Sequence, residues 1–142
     1  MISAKAYLQQ IRLYRNRIEA KKREAAGLQE SISFLKGIDY SGDRVQTSPQ
    51  DHMSGDVARL LDLDKEIRIL IEKYHYEMDK RINQIHQLKN ETYENVLIMR
   101  YIEDMTLDEI AKQMSYSYYW MCHIHGEALK EFYERFLKTE SK

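Results

Sequence analysis

The chain has 142 residues, enough for one ordinary domain or two small ones. Charged residues make up 32% and hydrophobic residues 43% of it, with five Gly and one Pro, a composition typical of a mostly helical protein and not of a disordered tail or a β-sandwich. The net charge of −1 argues against a protein that binds nucleic acid through bulk charge, and the single cysteine, Cys122, excludes an internal disulfide and fits a reducing cytosol.

The start of the chain has no continuous apolar stretch of the kind found in signal peptides. No apolar run of ~18 residues occurs elsewhere to span a membrane. We therefore expect a soluble, cytoplasmic protein without a membrane partner.

Residues 1–36 carry a regular heptad pattern and predict one long helix. A coiled-coil seam sustained for about four heptads needs a partner helix, because one helix cannot bury the stripe alone. Gly37 is well placed to end this helix. The seam positions are spaced alternately four and three residues apart: Tyr7, Ile11, Tyr14, Ile18, Lys21, Ala25, Leu28, Ile32 and Leu35.

Residues 37–55 contain three of the five Gly and the only Pro, and they predict a flexible loop. We expect a second coiled-coil helix over residues 56–90, beginning after an N-cap at Ser54 or Asp56. An antiparallel hairpin within one chain and a coiled-coil dimer of two chains would bury the two seams equally well. The second seam comprises Val57, Leu60, Ile67, Ile71, Tyr74, Met78, Ile85 and Leu88, with Asp64 and Arg81 as polar interruptions.

Residues 91–142 predict shorter helices arranged as a helix-turn-helix domain. In "TLDE", Thr106 is expected to cap a helix that continues to Met114, and Ser117 to cap the last helix. Ala111 is the small residue that two steeply crossing helices need at their contact. Ser115 occupies the turn position that tolerates a positive φ, where Gly or Asn would be more usual. The apolar residues expected between the helices are Ile110, Met114, Met121 and Ile124.

The stretch "VLIMRYIEDMTLDEIAKQMSYSYYWMCHIHGEAL" resembles region 4 of sigma-70-type factors. The whole chain resembles a family of short phage and prophage proteins of Gram-positive bacteria, through "GDRVQTSPQD", "LLDLDKEI" and the sigma-like ending. That resemblance implies an all-α fold, a long heptad-bearing helical hairpin or coiled-coil dimer followed by a sigma-region-4-like helix-turn-helix. It also implies a transcriptional regulator that binds double-stranded DNA, acting at promoters with or through RNA polymerase.

The resemblance implies that the last helix carries the DNA-reading side chains. This helix has no Arg or Lys before Lys130, and residues 91–142 carry six basic against ten acidic residues, so we expect weak DNA binding by this module alone. Dimerisation, RNA polymerase or the N-terminal 36 residues, with eight basic against three acidic residues, would supplement it. The predicted DNA-binding residues are Thr106, Ser117, Tyr118, Tyr119, Trp120, Cys122, His123, His125 and Lys130.

A second interpretation is a coiled-coil interaction module whose helix-turn-helix no longer contacts DNA, with "YSYYW" as an aromatic anchor for a protein. A metal site at Cys122, His123 and His125 is disfavoured, because adjacent positions on a helix point in different directions. The sequence contains neither a phosphate-binding Gly-rich loop nor a nucleophile–base motif. We therefore expect no enzymatic activity and no cofactor.

Overall fold

The computed structural model describes residues 2–37 and 49–138, and this part of the chain is all-helical, as predicted. Two π-helical segments, at Ile98–Ile102 and Tyr133–Leu137, continue the third and fifth α-helices. None of the helices in these ranges combines the length and apolar character needed to cross a bilayer. The five α-helices are α1 Ala4–Gly37, α2 Pro49–His86, α3 Glu91–Leu97, α4 Leu107–Met114 and α5 Tyr118–Phe132.

The helices form two compact units. The first unit combines the described residues up to Tyr14 with those from Tyr74 onward, and the second lies within Arg15–Lys73. This division differs from the predicted one between residues 90 and 91. The beginning of α1 and the end of α2 pack with the C-terminal helices, because Ala4, Leu8 and Ile85 share one buried cluster with residues of α5.

In the second unit, α1 and α2 run antiparallel. Lys21 lies 3.0 Å from Glu66, and Glu24 lies 2.9 Å from Arg59. Residues later in α1 therefore lie beside residues earlier in α2. Both helices contribute side chains that are buried in this unit. The buried side chains of this unit are Ile18, Ile32, Leu63 and Ile67.

In the first unit, α5 contributes to two buried clusters. One cluster joins the ends of α1 and α2 to Ala128 and Phe132 of α5, and it includes Tyr7, whose ring centroid lies 5.8 Å from that of Phe132. The other joins α3 and α4 to Met121 and Ile124 of α5. One side of α5 is therefore buried along the whole length of the helix. This burial fixes which side of α5 points away from the core.

Arg81 is buried in the first unit, although the sequence marked it only as an interruption of the seam. Its Nε donates to the carbonyl oxygen of Tyr7 at 3.0 Å, and its Nη1 donates to the carboxylate of Glu77 at 2.6 Å. The guanidinium carbon also lies 4.0 Å from the centroid of the Tyr7 ring. A buried guanidinium is tolerated because its charge and donors are satisfied in this way.

The second helix begins earlier than predicted. Its first residue is Pro49, so both proposed N-caps, Ser54 and Asp56, lie inside α2. Proline is favoured at the first position of a helix, where its missing N–H is not needed. Within α2, Leu63 is buried whereas the predicted seam residue Val57 is exposed. The rest of the predicted loop, residues 38–48, lies outside the described residues.

Candidate nucleic-acid interface

The connection between α4 and α5 is defined by three local features. The Thr106 hydroxyl accepts a hydrogen bond from the Glu109 amide at 3.2 Å, and Ser117 accepts one from the Trp120 amide at 3.1 Å. Both predicted N-caps are thus confirmed. Ser115 adopts the left-handed conformation, with φ 61° and ψ 39°, as its turn position required.

The end of α4 closes with a Schellman motif. The Tyr116 amide donates to the carbonyl oxygen of Ala111 at 2.8 Å, and the Ser115 amide donates to that of Lys112 at 3.3 Å. These two bonds satisfy carbonyl groups that the last turn of a helix would otherwise leave unpaired. The turn is therefore a hydrogen-bonded structure, which limits the directions in which α5 can leave it.

Apolar packing then holds α4 and α5 together. Ile110 and Met121 are completely buried, and Ala111 and Ile124 are nearly so. They share one cluster with Val96 of α3. The small residue and three of the four apolar contacts predicted from the sequence are therefore buried as expected, while Met114 is partly buried at the edge of the same cluster.

The N-terminal half of α5 presents aromatic side chains to solvent. Tyr119 is 84% exposed and Tyr118 is 56% exposed. The Trp120 ring stacks on the imidazole of His123, with 5.0 Å between their centroids and 25° between their planes. A hydrogen bond to the partly buried Cys122 raises the pKa of Tyr118. We call the group Tyr118, Tyr119, Trp120 and His123 the aromatic face.

His125 does not belong to the aromatic face. Its Nε2 lies 2.8 Å from the hydroxyl of Tyr101, and the two rings stack 5.7 Å apart. Burial, followed by the charges of Arg100 and Lys5, lowers the pKa of His125 to about 4. Burial also raises the pKa of Tyr101 to about 12. At neutral pH the imidazole is therefore uncharged and turned toward the core, so it offers no cation to a phosphate.

Lys130 lies at the far end of the outward side of α5. Tyr119, His123, Gly126 and Lys130 follow one another at spacings of four, three and four residues, which places them on one row of the helix. Lys130 also lines an open cavity of about 450 Å³ together with Lys5 of α1. Sequence reasoning missed Lys5, because no local pattern connects residues that are so far apart in the chain.

Little positive charge lies beside the aromatic face. Lys112, on the exposed side of α4, is paired with Asp108 at 3.1 Å, and the neighbouring Glu109 is exposed. No Arg or Lys occurs in α5 before Lys130. Lys130 and Lys5 lie together at the far end of α5, beyond the aromatic face. Tyr116, which is exposed beside the aromatic face, is not among the predicted DNA-binding residues but belongs to the "YSYYW" segment of the second interpretation.

Among residues 2–37 and 49–138, no three His, Cys, Asp or Glu side chains are grouped so that they could hold a metal ion.

Comparisons with models of protein families, with curated proteins and with solved structures find no match for this chain. The likeness of its motifs to phage regulators and to sigma region 4 therefore stays a prediction.

Proposed function

We propose that the protein is a sequence-specific DNA-binding transcriptional regulator, encoded by a phage or prophage, in which α4 and α5 act as a sigma-region-4-like helix-turn-helix. The observation that carries this proposal is the buried contact of Ala111 with its apolar neighbours, which leaves Tyr118, Tyr119 and Trp120 at the start of α5 exposed. In helix-turn-helix proteins it is this part of the second helix that meets base edges in the major groove. We propose no enzymatic role.

The exposed side chains suit particular contacts with a duplex. Tyrosine hydroxyls and the His123 imidazole can bond to phosphate or base-edge groups, and ring edges can meet thymine methyl groups. Thr106, at the start of α4, lies where the first helix of such a motif contacts the backbone. Lys5 and Lys130 supply the positive charge that phosphates require, at the far end of the outward row of α5.

Two charges neutralise few phosphates, so the affinity of this surface alone is expected to be low. RNA polymerase bound at the same promoter would raise the effective affinity by tethering, without a new contact to DNA. We therefore propose that the protein acts at promoters with or through RNA polymerase.

The direct test is selection of duplexes from a random pool with the full-length protein, performed with and without host RNA polymerase. Enrichment of a motif by the protein alone indicates an autonomous regulator, and enrichment only with polymerase indicates a sigma-like mode. If no motif is enriched under either condition, the proposal is wrong.

Variants then test which side chains contact the selected DNA. Tyr119→Ala combined with His123→Ala should weaken binding by at least about tenfold in fluorescence anisotropy, because both are exposed contact groups. Phe34→Ala combined with His86→Ala removes the same kinds of exposed side chain elsewhere and should change nothing. Lys5→Gln with Lys130→Gln should lower the slope of log K against log salt by about two.

A second function is favoured by one specific feature, the exposure of Tyr118, Tyr119 and Trp120 on a helix with few positive charges. Exposed Tyr and Trp side chains are common at the centres of protein interfaces. In that case the aromatic face would bind a protein, and the Tyr119 and His123 double variant would lose that partner while the affinity for DNA stayed unchanged.

A further inference from the structure

The side of α2 that faces away from its buried residues carries a second row of regularly spaced residues. Its members follow one another at spacings of three, four, four, three and four, and all of them are exposed. At ~100° per residue they fall within about 80° of one another, on the side opposite the buried Leu63 and Ile67. We call this set the outer row: Ala58, Leu61, Lys65, Ile69, Glu72 and Tyr76.

Three members of the outer row are large apolar side chains in solvent. Leu61, Ile69 and Tyr76 are between 61% and 67% exposed. Single exposed apolar residues need no explanation, but three that recur at helical spacing on one side of one helix form a stripe. A stripe of this kind is the usual mark of a helix that pairs with another helix.

The outer row is complementary to itself when two copies of α2 are placed antiparallel. With a two-fold axis between residues 68 and 69, Lys65 of each copy comes opposite Glu72 of the other, and Leu61 comes opposite Tyr76. Ile69 then lies next to its own counterpart at the axis. Every member from Leu61 to Tyr76 thus meets either an opposite charge or an apolar side chain, which is the requirement of an isologous interface.

We propose that the occupant of the outer row is a second copy of this chain, bound antiparallel along α2. The charge pattern favours a second copy over an unrelated partner, because one register satisfies Lys65 and Glu72 together with the apolar positions. The heptad seam of α1 cannot serve this purpose, since Ile18 and Ile32 are already buried within one chain. This proposal is independent of the DNA-binding one.

The contact is short, so the dimer should be weak. From Leu61 to Tyr76 the row extends for roughly 22 Å at ~1.5 Å per residue, which places the interface at the small end of specific protein contacts. We expect a dissociation constant on the order of 10–100 μM, a weak affinity on the scale of specific complexes.

Sedimentation velocity of the full-length chain, over a concentration series that spans this range, measures the dimer directly. The mean mass should rise from that of a monomer toward twice that value. Ile69→Glu places two like charges at the axis and should raise the dissociation constant by at least about tenfold. Phe34→Glu, which changes another exposed apolar residue, on α1, should leave the dissociation constant unchanged.

Charge exchange tests the register. Lys65→Glu and Glu72→Lys, made singly, each create two like-charge contacts and should weaken the dimer about tenfold, whereas the double variant should restore it. All these side chains are exposed, so circular dichroism melting curves should stay close to those of the wild type. A protein that remains monomeric, a dimer insensitive to Ile69→Glu, or a double variant no better than the single ones would overturn the proposal.

Discussion

The two units of the molecule are built from the same long helices but bury their side chains to different degrees. In the first unit Leu8, Ile85 and Phe132 have at most 1% of their surface exposed. In the second unit the best-buried side chains, such as Leu63 and Ile18, still have 5% or 6% of their surface exposed. The first unit adds α3, α4 and α5 to α1 and α2, so its side chains are covered from several directions.

The difference indicates how stability is divided between the two units. In a pair of helices, each helix buries only one stripe of its surface. The second unit adds exposed ion pairs such as Lys21–Glu66 and Glu24–Arg59 to that burial. Exposed pairs of this type contribute at most about 1 kcal/mol each. The first unit therefore carries most of the stability, and it is also the unit that positions the aromatic face.

The largest expected effect contrasts one core residue from each unit. Phe132→Ala should lower the free energy of unfolding by about 3–5 kcal/mol, and Ile67→Ala by about 2 kcal/mol, because Phe132 is completely buried and Ile67 is not. Urea denaturation measures both values. Phe34→Ala, at a phenylalanine that is 71% exposed, should stay within about 0.5 kcal/mol of the wild type. An Ile67→Ala cost equal to that of Phe132→Ala would contradict the contrast.

Acid should affect the first unit through His125. Its pKa is about 4 in the folded protein and 6.5 ordinarily, so the unfolded chain binds more protons between these values. The stabilisation from the neutral imidazole is therefore complete above pH 6.5 and is lost as the pH falls toward 4. Because the ring is only half-buried, solvent screening limits the loss to about 1–2 kcal/mol.

The measurement is urea denaturation of the wild type and of His125→Gln at several pH values between 7 and 4. The difference in unfolding free energy between the two proteins should change over this range, with the wild type losing more stability in acid. Parallel curves for the two proteins would mean that burial does not hold this imidazole neutral.

The sequence predicted those features that depend on local or periodic patterns. The seam of α1 could be located because Tyr7, Ile11 and Ile18 recur at heptad spacing, and all three are buried. The caps at Thr106 and Ser117 follow from side-chain chemistry within three residues of each other along the chain. The burial of both Ala111 and Met121 follows from the small size of Ala111 and from the helical spacing of the apolar residues.

Features that depend on distant contacts could not be predicted in this way. Arg81 was marked as a polar interruption, since nothing near it in the sequence indicates that the Tyr7 carbonyl and ring would receive it. His125 was expected beside the outward residues, but its Nε2 lies at hydrogen-bond distance from the hydroxyl of the buried Tyr101. The π-helical segment at Ile98–Ile102 likewise has no signature in residue propensities.

The smallest effects come from exchanging glycine with other residues in the two units. Gly27 lies in the middle of α1 in the second unit, and a Cβ placed there would meet no atom within 4 Å. Gly27→Ala should therefore stabilise the protein by about 0.5–1 kcal/mol, by removing the entropic cost of a helical glycine.

Ser115 in the first unit requires the opposite exchange, because it holds a φ of 61° that L-residues adopt at a cost. Ser115→Gly should add up to about 1 kcal/mol, the relief of that strain less the greater freedom of glycine in the unfolded chain. Thermal melting of both variants measures these gains, and their combination should be additive because the positions lie in different units. If Ser115→Gly destabilised the protein, the left-handed turn would owe its shape to the serine side chain, and the orientation of α5 would depend on that hydroxyl instead of on the Schellman bonds.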